Sequence, residues 1–76
     1  MTEERLAREI GNNLKSVMYE YGVTQKELSE LTGISRSTIS KYIYGDMVPT
    51  LKNILNIAYA LECDITELVD ADEPII

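Results

Sequence analysis

The stretch that decides the fold is TQKELSELTGISRSTISKYIYG, residues 24–45. Thr24 and Glu27 stand three residues apart, the spacing of a capping box in which a hydroxyl and a carboxylate each satisfy a backbone N–H. A short helix is therefore predicted to begin after Thr24, and it ends at Gly33, where a left-handed backbone costs little. The apolar residues of this helix that are expected to face inward are Leu28 and Leu31.

A second helix is predicted from about Ser35 to Tyr44, because Ser35 can act as its N-cap and Gly45 can end it. Its inward side is expected to carry Ile39, Tyr42 and Ile43. Its other positions are Arg36, Ser37, Ser40, Lys41 and Tyr44. Two short helices joined by a glycine-bearing turn, with the small Ser29 where they approach, have the pattern of a helix-turn-helix. The second helix of that unit enters the major groove of DNA.

Further helices are predicted on both sides of this unit. Residues 3–21 form one amphipathic helix, with Thr2 as N-cap and Gly22 at its end. After the loop that closes with Pro49, Thr50 caps a fourth helix. The expected apolar stripes are Leu6, Ile10, Leu14, Val17, Met18 and Tyr21 in the first helix, and Leu51, Ile54, Leu55, Ala58 and Leu61 in the fourth.

A last short helix is predicted to begin at the capping box of Asp64 and Glu67 and to run to about Val69. No stretch alternates polar and apolar residues long enough to predict a strand. The 76 residues, 45% of them hydrophobic, suffice for only one core. We therefore expect an all-α, five-helix bundle forming a single domain over residues 1–76, with its core in residues 3–69 and a tail at 70–76.

Composition argues against several classes of site. The chain has one cysteine, Cys63, and no histidine, so neither an intrachain disulfide nor the usual zinc ligands are expected. No glycine-rich phosphate loop and no nucleophile paired with a base occur, while Asp64 and Glu67 are explained by capping. We expect no metal, no cofactor and no enzymatic activity. The absence of a leader and of a long apolar run predicts a cytoplasmic protein without a membrane span.

The net charge of −6 is unusual for a protein that approaches phosphates. Its distribution is uneven, because residues 24–53 carry four basic and three acidic side chains whereas residues 54–76 carry six acidic and none basic. An acidic protein can bind DNA through a locally basic face. The same charge leaves a second reading open, in which the acidic surface of residues 62–73 binds a basic protein.

The sequence resembles the phage-repressor and Cro type of regulator, the XRE-like family, from about Leu6 to Val69. The residues that carry the resemblance are Thr24-Gln25 through Leu28, Gly33-Ile34-Ser35, Thr38-Ile39-Ser40, Tyr42, Gly45, Pro49-Thr50 and Ile57-Ala58-x-Ala60-Leu61. The resemblance implies a five-helix, lambda-repressor-like bundle that binds palindromic double-stranded DNA operators as a homodimer. Two positions depart from the pattern. Asp46 and Met47 stand where lysine or arginine is common, and Ile43 stands where many members have glutamate.

The resemblance implies base-reading side chains on the outward part of the third helix and a phosphate ligand at Gln25, and the other expected contacts follow from position and charge. Those expected to read bases are Arg36, Ser37, Ser40 and Lys41. Those expected to contact phosphates are Thr24, Gln25, Ser35, Tyr44 and Lys52. Each has an ordinary alternative, since polar residues on a helix are often only solvated and Thr24 caps its helix in any case.

The sequence thus predicts a transcriptional regulator, with repression the expected mode, that binds double-stranded DNA through a reading helix at about residues 35–44. The alternative is a protein-interaction module on the same fold, similar to an antitoxin or an anti-repressor.

Overall fold

In a computed structural model of the protein, which describes residues 2–69, the chain forms four α-helices and one 3₁₀ turn. In chain order they are α1 (Glu3–Tyr21), α2 (Gln25–Thr32), α3 (Arg36–Ile43), α4 (Leu51–Leu61) and the 3₁₀ turn Ile65–Glu67. This part of the chain is all-helical, as predicted. The predicted tail, residues 70–76, lies outside the described residues. None of these helices combines the length and the apolar character needed to cross a membrane.

Each α-helix begins at a hydroxyl side chain, as the sequence predicts. Thr2, Thr24, Ser35 and Thr50 have an extended backbone, and each hydroxyl oxygen accepts a hydrogen bond from the amide three residues ahead. The Glu27 carboxylate accepts a further bond of 3.2 Å from the Thr24 amide, which completes the predicted capping box. Since losing such a cap costs about 1 kcal/mol, these local interactions determine where the helices start.

The predicted fifth helix is wrong, because the chain after Asp64 makes only the 3₁₀ turn. Its capping box does form, with Asp64 accepting from the Thr66 amide and Glu67 accepting from the Asp64 amide, both at 3.0 Å. The turn ends at Leu68, whose side chain is fully buried. The Leu68 carbonyl oxygen accepts a 2.9 Å hydrogen bond from the Asn13 side-chain amide. Burial of Leu68 and this hydrogen bond to α1 thus hold the chain after the 3₁₀ turn.

One core joins all five elements. Its fully buried side chains, each with an exposed fraction of 0%, are Leu14 of α1, Leu28 of α2, Ile39 of α3, Ile57 of α4 and Leu68 after the 3₁₀ turn. Helix α3 packs against both α1 and α2, and α2 also packs against α4. The inner side of α3 is therefore covered from two directions, and its outer side is left to solvent.

Several residues predicted to face inward are exposed instead. Leu31, Leu51, Leu55 and Tyr21 have exposed fractions of 61%, 71%, 48% and 40%. In α4 the buried row is Ile54, Ile57, Ala58 and Leu61. Apolar residues cover more of the α4 circumference than its contact with α2 can bury, so the contact leaves Leu51 and Leu55 outside. Only Leu28 of the eight-residue α2 is buried, and Leu31 lies outside its contact with the core.

Gly11 sets the distance between α1 and α3. A Cβ atom at this position would lie 2.5 Å from the carbonyl oxygen of Tyr42 and 2.6 Å from that of Ile43. Both distances are far below van der Waals contact, so the two helices approach more closely than any side chain at position 11 would allow. This approach brings the exposed side of α1 next to the end of α3.

Candidate nucleic-acid interface

The turn between α2 and α3 fixes how α3 is presented. Gly33 has φ 76°, the left-handed conformation that the sequence predicts. The Ser29 hydroxyl donates a 2.6 Å hydrogen bond to the Ile34 carbonyl, and the Thr32 hydroxyl accepts one of 3.1 Å from the Ile34 amide. The Asn56 side chain donates a 2.8 Å bond to the Thr32 carbonyl. Ser29 is a small residue where the two helices approach, and its hydroxyl also joins α2 by a hydrogen bond to the residue before the N-cap of α3.

The outer side of α3 brings most of the predicted base-reading residues together. Arg36, Ser37, Lys41 and the C-cap residue Tyr44 are exposed, whereas Ser40 is half-buried. The helix sequence RSTISKYI contains two basic residues and no acidic one. The side of α3 that faces solvent is therefore positively charged in a protein whose net charge is −6.

The inner side of α3 is anchored by apolar packing and one hydroxyl. Ile39, Tyr42 and Ile43 are buried as predicted. The Tyr42 hydroxyl accepts a 2.8 Å hydrogen bond from the Asn53 side chain. Ile43, at the position where the resemblance leads us to expect glutamate, lines the same cleft as the buried Met18. The end of the reading helix is thus held on α1 by an apolar contact.

The N-terminus of α2 lies beside the end of α3. Thr24 and Gln25 line a cleft of about 270 Å³ together with Tyr44. The Thr24 hydroxyl is already engaged, since it accepts from the Glu27 amide at 3.1 Å and donates to the Glu27 carboxylate at 3.0 Å. Gln25 is half-buried in this cleft. The first amides of a helix favour anions. Since the Thr24 hydroxyl is engaged in the cap, Gln25 is the better placed of the two side chains for a phosphate.

The other two predicted phosphate ligands occupy separate positions. Ser35 is exposed, but its hydroxyl caps α3, accepting from the Thr38 amide at 3.2 Å and donating to the Thr38 hydroxyl at 2.9 Å. Lys52 is exposed in the first turn of α4. Gln25 and Tyr44 therefore share a cleft, while Lys52 projects from a different helix.

The sequence interpretation missed three polar residues on α1. Arg8, Asn12 and Lys15 are exposed and line a cleft of about 200 Å³ with Ile43 and Tyr44, which we call the basic cleft. Their spacing of four and three residues places them on one face of the helix. That spacing is visible in the sequence. Their position beside α3 is not, because it follows from the close approach at Gly11.

A second cleft is formed between the turn after α3 and the first turns of α1. It has a volume of about 150 Å³, and we call it the acidic cleft; its lining residues are Glu3, Glu4, Ala7, Gly45, Asp46, Met47 and Val48. Three of these residues carry carboxylates, and no basic residue is among them. The loop in which the resemblance leads us to expect basic residues thus faces an acidic surface.

Two titratable groups after α4, Cys63 and Asp64, have shifted pKa values. Burial raises the pKa of the half-buried Cys63 thiol, which is consistent with a packing role. Hydrogen bonds from the amide and hydroxyl of Thr66 lower the pKa of Asp64. Residues 2–69 contain no group of three acidic, cysteine or histidine side chains able to hold a metal ion.

Comparison with known proteins shows to which family the domain is similar. Residues 13–74 match the family model of the Cro/C1-type HTH DNA-binding domain. A putative HTH-type transcriptional regulatory protein of Methanothermobacter thermautotrophicus is 38% identical over 69 residues, covering 83% of this chain and 22% of that protein. The cryptic phage CTXphi transcriptional repressor RstR of Vibrio cholerae is 42% identical over 45 residues, covering 59% of this chain and 40% of that one.

A solved structure gives the same result. The restriction-modification controller protein C.AhdI from Aeromonas hydrophila matches with a TM-score of 0.78 and 31% identity, over 82% of this chain and 94% of that one. This chain spans well under half the length of either curated relative. The family match nevertheless covers most of the sequence and includes the whole of α2, α3 and α4. The chain therefore belongs to the Cro/C1-type helix-turn-helix DNA-binding domain family of transcriptional regulators.

Proposed function

We propose that this chain binds double-stranded DNA sequence-specifically and acts as a transcriptional repressor, with α3 in the major groove. The observation that carries the proposal is the outer side of α3, where Arg36, Ser37 and Lys41 are exposed without an acidic neighbour in the helix. Arginine and lysine donate to guanine O6 and N7, and serine bonds to several bases. The repressor activity of the similar RstR supports the proposed mode.

Phosphate contacts hold α3 in register in this proposal. Gln25 and Tyr44 lie in one cleft at the start of α2, where the helix N-terminus favours an anion. Thr24 and Ser35 offer hydroxyls that also cap helices, so they contact phosphate only as secondary partners. Half-buried Ser40 contributes at the edge of the reading face, and Lys52 contributes a charge from α4.

The exposed side of α4 is the proposed contact with a second copy of the chain. Leu51, Leu55 and Tyr59 follow one another at four-residue steps, with exposed fractions of 71%, 48% and 86%. A continuous exposed apolar stripe of this kind is typical of a protein contact. A homodimer formed there has two reading helices.

Sedimentation tests this contact. The complex of L55K with operator DNA should be smaller than the wild-type complex, because the lysine interrupts the apolar stripe. The S16A variant, altered at an exposed α1 residue, should retain the dimer.

Selection from a random pool of duplex DNA tests the function. We expect enrichment of a palindromic motif with half-sites about one helical turn apart. In the R36A variant, one position of the motif should lose its preference, at a cost of about 1–3 kcal/mol against the original base. The S16A variant should select the wild-type motif. A wild-type pool that remains random at low salt would contradict sequence-specific binding.

The alternative, a protein-interaction module, depends on the acidic residues 62–73, of which 70–73 lie outside the described residues. Among the others, the carboxylates of Asp64 and Glu67 accept backbone hydrogen bonds within the capping box. Glu62 is exposed at the end of α4. This alternative predicts that the chain retains a basic protein partner and binds no duplex at any salt concentration.

A further inference from the structure

The basic cleft joins α1 to the reading helix. Arg8, Asn12 and Lys15 form its α1 side, and Ile43 and Tyr44 form its α3 side. All three α1 residues are exposed, so their polar ends are available to a ligand. No carboxylate is among the residues that line this cleft, although the chain as a whole has 13 acidic and seven basic residues.

Arg8 lies directly against the turn that follows α3. A Cβ atom at Gly45 would be 3.0 Å from both Cα and Cγ of Arg8. The arginine is therefore packed beside the loop in which Asp46 and Met47 stand at positions where basic residues are expected. A cation is present at this turn, but it comes from α1, and Arg8 is not among the residues that line the acidic cleft.

Lys15 connects this cleft to the start of α2. It lines the basic cleft and also the neighbouring cleft that contains Gln25 and Tyr44. One surface thus runs from Arg8 through Lys15 to Gln25, along the edge of α3. A nucleic-acid backbone has this extended and regularly charged form, whereas a compact anion would occupy only one of the two clefts.

We propose that Arg8, Asn12 and Lys15 of α1 bind phosphates of the DNA backbone next to the segment that α3 reads. This inference rests on the proposed DNA binding and adds a second row of phosphate contacts to it. The row supplies the positive charge missing from Asp46 and Met47. It also gives no base preference, because phosphate contacts carry no direct sequence information.

The test compares three single charge removals in the full chain, R8Q, K15Q and R5Q. Glutamine keeps the Cα and Cγ atoms that lie beside Gly45, so R8Q preserves that contact. Arg5 is an exposed cation on the same helix that lines neither cleft. Affinity for the selected duplex is measured from low to moderate salt. For R8Q and for K15Q we expect binding weakened by roughly three- to tenfold, and a slope of log affinity against log salt that is shallower by about 0.9.

R5Q should retain the wild-type slope, and all three variants should select the wild-type DNA motif. A duplex with single neutral methylphosphonates locates the contact, because one of them should weaken wild-type binding without further weakening K15Q. If wild type binds the duplex and R8Q and K15Q behave like R5Q, the α1 contact is refuted while the proposed function stands. If wild type binds no duplex, both proposals fail.

Discussion

The two clefts that flank the turn after α3 differ in the charge that they present. The basic cleft is lined by Arg8 and Lys15, and the acidic cleft by Glu3, Glu4 and Asp46. Both clefts use side chains of α1, and no residue lines both of them. The net charge of −6 describes neither surface. Whether an acidic domain can approach DNA therefore depends on which side of one turn faces the backbone.

The two clefts also differ in the structure that lies beneath them. The basic cleft has a buried floor, because Ile43 packs in the core and Gly11 lets α1 approach α3 closely. The acidic cleft lies against the loop that contains Asp46, Met47 and Val48, outside any helix. We therefore expect substitutions under the basic cleft to change stability as well as binding. Substitution of the exposed Asp46 in the acidic cleft should change binding alone.

The largest effect is expected for I43E, which places a carboxylate under the basic cleft. Ile43 has an exposed fraction of 9% and lies beside the buried Met18, so a carboxylate there replaces an apolar contact and loses most of its water, although Lys15 lines the same cleft. Loss of the buried apolar side chain together with desolvation of the new carboxylate should lower the free energy of unfolding by about 2–5 kcal/mol. Urea denaturation measures this loss. The volume-conserving I43L should cost less than about 1.5 kcal/mol.

A second variant sharpens the same prediction. Adding M18R to I43E offers the carboxylate a guanidinium in the cleft that both residues line. The double variant should therefore be more stable than I43E alone, although each single substitution is destabilising. Equal stability of I43E and I43L would contradict an apolar anchor for α3.

G11A should have the next largest effect, because it separates α1 from α3. Alanine is favoured over glycine within a helix by about 1 kcal/mol. Here its Cβ would overlap the carbonyl oxygens of Tyr42 and Ile43, and such overpacking typically costs about 1–3 kcal/mol. We expect a net loss of stability in urea denaturation and weaker binding to the selected duplex. S16A, at an exposed site on the same helix, should cause neither change. If G11A is as stable as S16A, the inferred close contact between α1 and α3 at Gly11 is wrong.

The helix starts could be predicted because their causes are local. Thr2, Thr24, Ser35 and Thr50 each bond to an amide three residues ahead, so the sequence within one turn contains the whole interaction. The positive φ at Gly33 is local in the same sense. The inner face of α3 was also correctly predicted, because Ile39, Tyr42 and Ile43 are its only large apolar side chains.

The predictions that were wrong depend on contacts between residues that are distant in the sequence. The sequence of α4 allows several apolar rows, and only packing against α2 selects Ile57 over Leu51 and Leu55. The 3₁₀ turn ends where Leu68 meets Asn13, a contact that spans 55 residues. The candidate contact residues on α2 and α3 stay a prediction, and nothing in the sequence alone was a reason to add the α1 residues that we propose. Arg8 and Lys15 resemble any solvated helical charges until α1 is seen to lie against α3.

The smallest effect is expected for D46K, which reverses one charge of the acidic cleft. If the DNA backbone passes this turn, the new lysine should gain a phosphate contact. Affinity for any duplex should then rise by roughly three- to tenfold, and the salt slope should steepen by about 0.9. The motif selected from a random pool should not change.

E62K is the control for this prediction, because it alters net charge by the same amount at the exposed end of α4. Because salt screens charges more than about 10 Å apart at 0.1 M, E62K should leave both values near wild type. Equal gains from D46K and E62K would mean that total charge, rather than the position of charge at this turn, limits binding.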